Sequence, residues 1–147
     1  MALDVGIGDG SSLTPVQGEP SLWMEDEAPY WFLHPLFEKL AAETGQYIDL
    51  YGEASFAGEQ LIALKKMLTE ARRLTEAQPH SWEVCVGYSV VPTAWSATWR
   101  RAALSYRGRE ELRQPLDKGT LLNLIIAWER VVARAEELGL PVVCLGD

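Results

Sequence analysis

The stretch "SWEVCVGYSVV", residues 81–91, carries the clearest strand signal in the chain. Large apolar side chains occupy every second position, and the side chains between them are mostly small. The large set comprises Trp82, Val84, Val86, Tyr88 and Val90. Since successive side chains of a strand point to opposite faces, this pattern predicts a strand in a sheet that helices cover on one side.

Two amphipathic helices are predicted on either side of this strand. The first is capped by Ser55 and ends before Pro79, because apolar residues recur at helical spacing between them. Its predicted inward stripe consists of Leu61, Leu64, Leu68, Ala71 and Thr75. The second helix spans residues 118–138, with Asp117 as its N-cap and Gly139 as its stop signal.

The first third of the chain gives weaker signals. Residues 3–8 alternate between apolar and other side chains and predict a strand. A third helix is predicted to begin at His34 or Pro35, since proline suits the first helical position, and to end at Gly45. Residues 46–52, "QYIDLYG", predict a short strand that follows it.

The C-terminal run "PVVCLG", residues 141–146, predicts a buried strand. Residues 9–28 are predicted to form a long polar and acidic loop, and residues 92–116 an irregular segment with a short edge strand at "ELRQPL". Together these elements predict a single α/β or α+β domain over residues 1–147. We expect about three main helices packed on a mixed sheet of four or five strands.

Charge is distributed very unevenly. The chain of 147 residues has a net charge of −8, and residues 1–60 hold eleven acids and one base. Residues 61–147 hold ten acids and twelve bases, so the excess lies at the front of the sequence. Such a field repels nucleic acid and attracts cationic partners. No apolar run reaches the roughly 18 residues of a membrane span, so we expect neither nucleic acid nor a membrane as partner.

Motifs for catalysis, metal binding or cofactor binding are not found in the sequence. The two histidines, His34 and His80, lie at a helix start and in a turn, and neither stands in a nucleophile or metal motif. Cys85 and Cys144 lie in apolar strand-like runs, which is typical of small buried residues in a reducing cytoplasm. We therefore expect no catalytic residue, no metal, no cofactor and a cytoplasmic location.

The most unusual stretch is "WMEDEAPYW", residues 23–31, which places three consecutive carboxylates between tryptophans. Aromatic anchors beside like charges are typical of a docking surface for a basic protein. A second group of acids and tyrosines follows in residues 46–53, "QYIDLYGE". The predicted partner-binding residues are Trp23, Glu25, Asp26, Glu27, Tyr30, Asp49, Tyr51 and Glu53.

Three other interpretations remain open at this point. The acidic run can be a solvated loop without a partner. It can also form one wall of a carboxylate–tyrosine cleft with Asp49 and Tyr51, which would make the chain a small hydrolase or a carbohydrate-binding domain. Finally, Trp95 and Trp99 can pack on a neighbouring subunit of a larger assembly. The oligomeric state is not predicted.

The stretch "YWFLHPLFEKLAAETGQYIDLYGEASFAGEQL", residues 30–61, followed by "WEVCVG", resembles small bacterial proteins of the toxin-immunity type. The resemblance covers roughly residues 22–90. It implies a non-enzymatic cytoplasmic inhibitor that binds and occludes a basic toxin. It assigns no individual site residue and names no particular toxin.

Overall fold

In the described residues, three helices and a four-stranded antiparallel sheet form the body of the protein, and a separate two-stranded antiparallel sheet packs against the first helix. The structure is a computed structural model that describes residues 2–92 and 106–147. In chain order the elements are β1 (Leu3–Ile7), β2 (Leu22–Met24), α1 (Glu27–Thr44), β3 (Glu53–Phe56), α2 (Glu59–Glu76), β4 (Ser81–Pro92), β5 (Tyr106–Asp117), α3 (Lys118–Leu138) and β6 (Val142–Gly146). The predicted single α+β domain with three helices is confirmed.

The strand order in the sheet is β2-β1-β6-β3, so the first and last strands of the chain pair at its centre. All the described pairings are antiparallel, and the strands divide into two sheets instead of the single mixed sheet expected from the sequence. The predicted strands at residues 3–8 and 141–146 are confirmed.

Strand register assigns each side chain to one of the two faces of the sheet. Leu3, Val5 and Ile7 are fully buried against the helices, as are Val142 and Cys144 on the neighbouring strand. The alternate residues of β1 therefore point to the opposite, outer face, which the helices leave uncovered.

A loop covers only part of that outer face. Pro15 packs on Gly6, where an added Cβ would lie 2.7 Å from the proline ring. The N–H of Val16 donates to the carbonyl of Ile7 at 2.7 Å, which holds the loop down. The loop predicted at residues 9–28 is shorter than expected, because β2 and the start of α1 lie within that range.

Helix α1 begins at Glu27, about two turns before the predicted start, and Pro35 lies inside it. The inward residues keep helical spacing through the proline: Ala28, Tyr30, Leu33, Phe37 and Leu40 are all buried. Burial of this stripe outweighs the one backbone hydrogen bond that Pro35 removes.

Residues 46–52 do not form the predicted strand, and β3 begins only at Glu53. Ile48 and Leu50 are buried, so the alternation in the sequence is real. The backbone at Leu50 lies directly against Gly146, and the N–H of Gly146 donates to the carbonyl of Gly52 at 2.8 Å. The segment thus packs across the end of β6, and regular strand pairing starts only after it.

The other two helices agree closely with prediction. In α2 the expected stripe is buried, but Ser55 lies in β3 and Gly58 is the N-cap. In α3 both ends are as predicted: the side chain of Asp117 accepts the N–H of Thr120 at 2.9 Å, and Gly139 adopts the left-handed conformation.

The strand predicted from residues 81–91 is confirmed as β4, but among the described strands it pairs with β5 alone. Trp82 packs edge-on against Phe32 of α1 at 5.1 Å between ring centroids, whereas Tyr88 further along is exposed. β5 occupies much of the segment predicted to be irregular, because that segment pairs along β4. Trp95 and Trp99 lie outside the described residues.

We predict that Gly146→Ala destabilises the protein. An added Cβ would collide with the carbonyl group of Leu50, which is backbone and cannot move aside as a side chain can. We expect a loss of about 1–3 kcal/mol in the free energy of unfolding, measured by urea denaturation. Gly87→Ala is the matched control, because a Cβ there would meet only a side-chain carbon of Leu112 at 3.9 Å. Equal stability of the two variants would contradict the close contact.

Candidate binding surface

Most of the sequence-predicted docking residues come together at one end of the four-stranded sheet. β2 ends there and leads through Glu25 and Asp26 into the first turn of α1, which contains Glu27. β3 begins at the same end with Glu53, next to the segment 46–52. Two strands separate β2 from β3, so the two groups lie roughly 14 Å apart across the sheet.

The outer face of the sheet adds residues that link these two groups. Trp23 lies directly opposite Asp4, Asp4 opposite Leu145, and Leu145 opposite Glu53. Residues that oppose each other across neighbouring strands share a face, so the four side chains form one row. Trp23 is 58% exposed at one edge of the row, and Glu53 is exposed at the other.

A shallow depression of about 190 Å³ lies beside Trp23. Its lining includes Asp4 and Asp147, and the N–H of Ala2 donates to the Asp147 carboxylate at 2.6 Å. Sequence analysis missed Asp4, Leu145 and Asp147. The alternation in β1 puts Asp4 on the polar face, but only the strand register reveals that it is opposite Trp23.

We call this surface the acidic end. Its members are Asp4, Trp23, Glu25, Asp26, Glu27, Asp49, Tyr51, Glu53, Leu145 and Asp147. In the described part of the chain, no Lys or Arg nitrogen lies within 4.0 Å of any of its carboxylates. Elsewhere in the first 60 residues, Glu19 pairs with Arg134 at 2.8 Å, and Asp9 accepts N–H groups of its own loop. Within the described residues, the carboxylates of the acidic end therefore have no basic side chain in contact with them.

Asp4, like Glu27 and Asp49, is a partly buried carboxylate of the acidic end. It is half-buried, and burial raises the pKa of its carboxyl above the usual value. A carboxylate in this position without a counter-ion is a local cost to the folded protein at neutral pH. Asp4 would therefore gain from a cation brought by a partner.

Tyr30 was predicted to contact a partner, and the structure corrects this. Its side chain is 2% exposed, and its hydroxyl donates to the carbonyl of Ile48 at 3.1 Å. Burial, followed by the hydrogen bond to Tyr47, raises the pKa of the Tyr30 hydroxyl. Tyr30 thus holds the segment 46–52 against α1 from inside the protein.

Asp49 and Tyr51 are not aligned on a strand face. Tyr51 is 73% exposed, and its N–H donates to the Asp49 carboxylate at 3.2 Å, which makes a local turn. Neither residue lines any of the four depressions described within residues 2–92 and 106–147. None of these four depressions therefore provides the predicted carboxylate–tyrosine cleft at these positions.

A cluster of aromatic rings on α1 was missed by sequence analysis. Trp31 lies 5.1 Å from the ring of His34, and Nε2 of His34 is 2.6 Å from the hydroxyl of Tyr47. Trp31 and Tyr47 are each more than one-third exposed. Trp31 was visible in the stretch of residues 23–31, but the loop that brings Tyr47 beside His34 was not predictable from spacing.

The described residues provide few other candidates for chemistry. They contain no group of three or more His, Cys, Asp or Glu side chains that could hold a metal ion. Both thiols are free, and burial raises the pKa of Cys144. Within the same ranges, no helix is long and apolar enough to cross a bilayer. Comparison of the chain with family models, curated proteins and solved structures gives no match.

We predict that Tyr30→Phe lowers stability. The substitution keeps the ring but leaves the buried carbonyl of Ile48 without its donor, so we expect a loss of about 1–3 kcal/mol in the free energy of unfolding. Tyr51→Phe is the control, because its hydroxyl is exposed. Denaturant titration of both variants measures the difference. A Tyr30→Phe protein as stable as the wild type would contradict the structural role of this hydroxyl.

We predict that Asp4→Asn raises stability at neutral pH. The folded protein holds the Asp4 proton more tightly than the unfolded chain does, so the stabilisation from protonation is complete below the unfolded pKa of 3.8. That stabilisation is lost as the pH rises through the higher folded pKa. Thermal unfolding should therefore show a higher Tm for Asp4→Asn at pH 7, and the gap should shrink toward pH 3. A lower Tm at pH 7 would refute the assignment.

Proposed function

We propose that this protein is a non-enzymatic binding protein that docks on a cationic protein and occludes it through the acidic end. One observation carries the proposal. Trp23 stands exposed on an uncovered sheet face, in one row with Asp4 and Glu53, and no described Lys or Arg neutralises either carboxylate. The surface is thus apolar at one point and negative around it.

This arrangement suits tight and fast association with a basic protein. An exposed tryptophan supplies a large contact area with few rotatable bonds, and such residues dominate the binding energy of many interfaces. Surrounding carboxylates raise the rate of encounter with a positive partner. Asp4 adds specificity, because a lysine or arginine delivered to it would relieve the cost of its desolvation.

The class of partner that fits best is a basic toxin that acts on nucleic acid. Such proteins carry positive surfaces that bind phosphates, and a row of carboxylates can occupy the same surface. The resemblance to toxin-immunity proteins supports the same proposal, and a bacterial cytoplasmic inhibitor remains part of it. The partner's identity is the object of the test.

The test is capture of a partner from the native host by two matched variants. The first replaces Glu25→Gln, Asp26→Asn and Glu53→Gln at the acidic end. The control replaces Glu43, Glu76 and Glu110 by Gln, which removes equal charge from exposed positions on other elements. We expect the first variant to lose at least tenfold in affinity for the captured basic protein and the control to lose much less. Equal losses would refute docking at the acidic end.

Salt dependence separates charge-driven docking from apolar docking. Screening weakens interactions between exposed charges beyond a Debye length of about 8 Å at physiological ionic strength. The association rate of the wild type should therefore fall steeply with salt, and that of the triple variant at the acidic end only weakly. Wild-type association that does not change with salt would contradict the proposal.

A carbohydrate-binding function is the second candidate, and one observation favours it. The depression beside Trp23 combines an exposed indole with Asp4 and Asp147, which is a suitable floor and wall for a sugar ring. It is shallow, and the Asp147 carboxylate already accepts the N–H of Ala2. Saturable binding of neutral oligosaccharides, abolished by Trp23→Ala and insensitive to salt, would favour this candidate over protein docking.

A further inference from the structure

We propose that Trp31 of α1 forms a second contact of the same interface and stacks against an arginine of the cationic partner. The inference rests on the proposed function, since it names a chemical feature of that partner. The rings of Trp31, His34 and Tyr47 lie together at the surface, with Trp31 and Tyr47 exposed and His34 partly buried; we call them the aromatic patch. The face of an indole attracts a cation, and a planar guanidinium can stack on it as a compact ammonium cannot.

Contacts with neighbouring rings hold the aromatic patch rigid. The Trp31 ring packs edge-on against buried Tyr30 at 5.2 Å, and 5.1 Å from the ring of His34. The hydroxyl of Tyr47 bonds Nε2 of His34 at 2.6 Å and lies 3.5 Å from the hydroxyl of Tyr30. Because these rings are fixed before binding, little conformational entropy would be lost when a guanidinium stacks on them.

Carboxylates border the aromatic patch along α1. Glu27 precedes Trp31 by one helical turn and therefore lies on the same face. Glu38 follows His34 by one turn, with its carboxylate 3.8 Å from Nδ1. The nearest lysine in sequence, Lys39, lines the groove between α1 and α2 instead. A cationic side chain on the patch would thus meet carboxylates in both directions along the helix.

The aromatic patch also adjoins the acidic end. Glu27 belongs to the acidic end and borders the aromatic patch, and Tyr47 lies in the segment that continues to Asp49 and Tyr51. The hydrogen bond from the buried Tyr30 to Ile48 holds that segment against α1, so the aromatic patch and the acidic end keep fixed positions relative to each other. A single partner that places lysines or arginines on the acidic end can therefore reach Trp31 with an arginine. The occupant we commit to is that arginine, on an exposed segment of the partner.

The test uses two synthetic peptides of equal length and charge, one carrying arginines and the other lysines, and titrates each into wild-type protein. We expect tighter binding of the arginine peptide by about threefold to tenfold, a preference of about 0.7–1.4 kcal/mol for arginine over lysine. Trp31→Leu should abolish this preference, and Trp31→Phe should retain part of it. Ile62→Ala, an exposed apolar position on α2, should leave it unchanged.

Folding of the variants does not limit the test, because the wild type provides a direct readout. The Trp31 indole N–H signal, assigned by its loss in Trp31→Phe, should shift in NMR spectra on addition of the arginine peptide and less with the lysine peptide. No preference for arginine, or a shift absent at Trp31, overturns the inference. If the triple variant at the acidic end still weakens peptide binding in that case, the proposed function stands. If the triple variant has no effect on peptide binding either, the inference about Trp31 and the proposed function are both wrong.

Discussion

The pairing of the last strand between the first strand and β3 is the constraint on which this architecture depends. β6 lies between β1 and β3, so the sheet is complete only when the two ends of the described chain meet. Its end at Gly146 is pressed against the backbone of Leu50, a contact that leaves no space for a side chain. That contact fixes the segment 46–52 and, with it, the positions of Asp49 and Glu53.

The same pairing explains why like charges accumulate in one place. β2 ends, β3 begins and β6 ends on one side of the molecule, and each of these boundaries carries acids. Repulsion between these carboxylates does not stabilise the folded protein. The ion pair of Arg72 with Glu129, at 2.8 Å, instead lies on the outer surfaces of the helices. A fold under selection for stability alone has no need of a half-buried Asp4, whereas a surface for a cationic partner does.

Local signals were sufficient for the parts of the fold that depend on local structure. Helix α3 was predictable to the residue, since Asp117 and Gly139 act on their own neighbours. The start of α1 was not, because a proline at position 35 is a stronger local signal than the burial that overrides it. The segment 46–52 alternates as a strand does, but its partner is a glycine nearly one hundred residues later. No local pattern contains that information.

In the candidate site, too, some features were predictable from local sequence and others depend on distant contacts. The acids and tryptophans were visible in the sequence because composition reveals charge and aromatic content directly. Which of them share a face required the register of β1 with β2 and β6, and this register brought in Asp4, Leu145 and Asp147. Tyr30 was misassigned because a tyrosine beside three acids gives no indication that its helical position points inward.

The most direct measurement of the central claim is the local electrostatic potential at the acidic end. NMR relaxation of amide and indole protons by cationic and anionic paramagnetic co-solutes of equal size reports that potential residue by residue. The account predicts that the cationic probe relaxes the protons of Trp23, Glu25 and Glu53 much more than the anionic probe, and that α2 protons such as that of Ile62 show a far smaller difference. Equal effects of the two probes at Trp23 and Glu53 would contradict it.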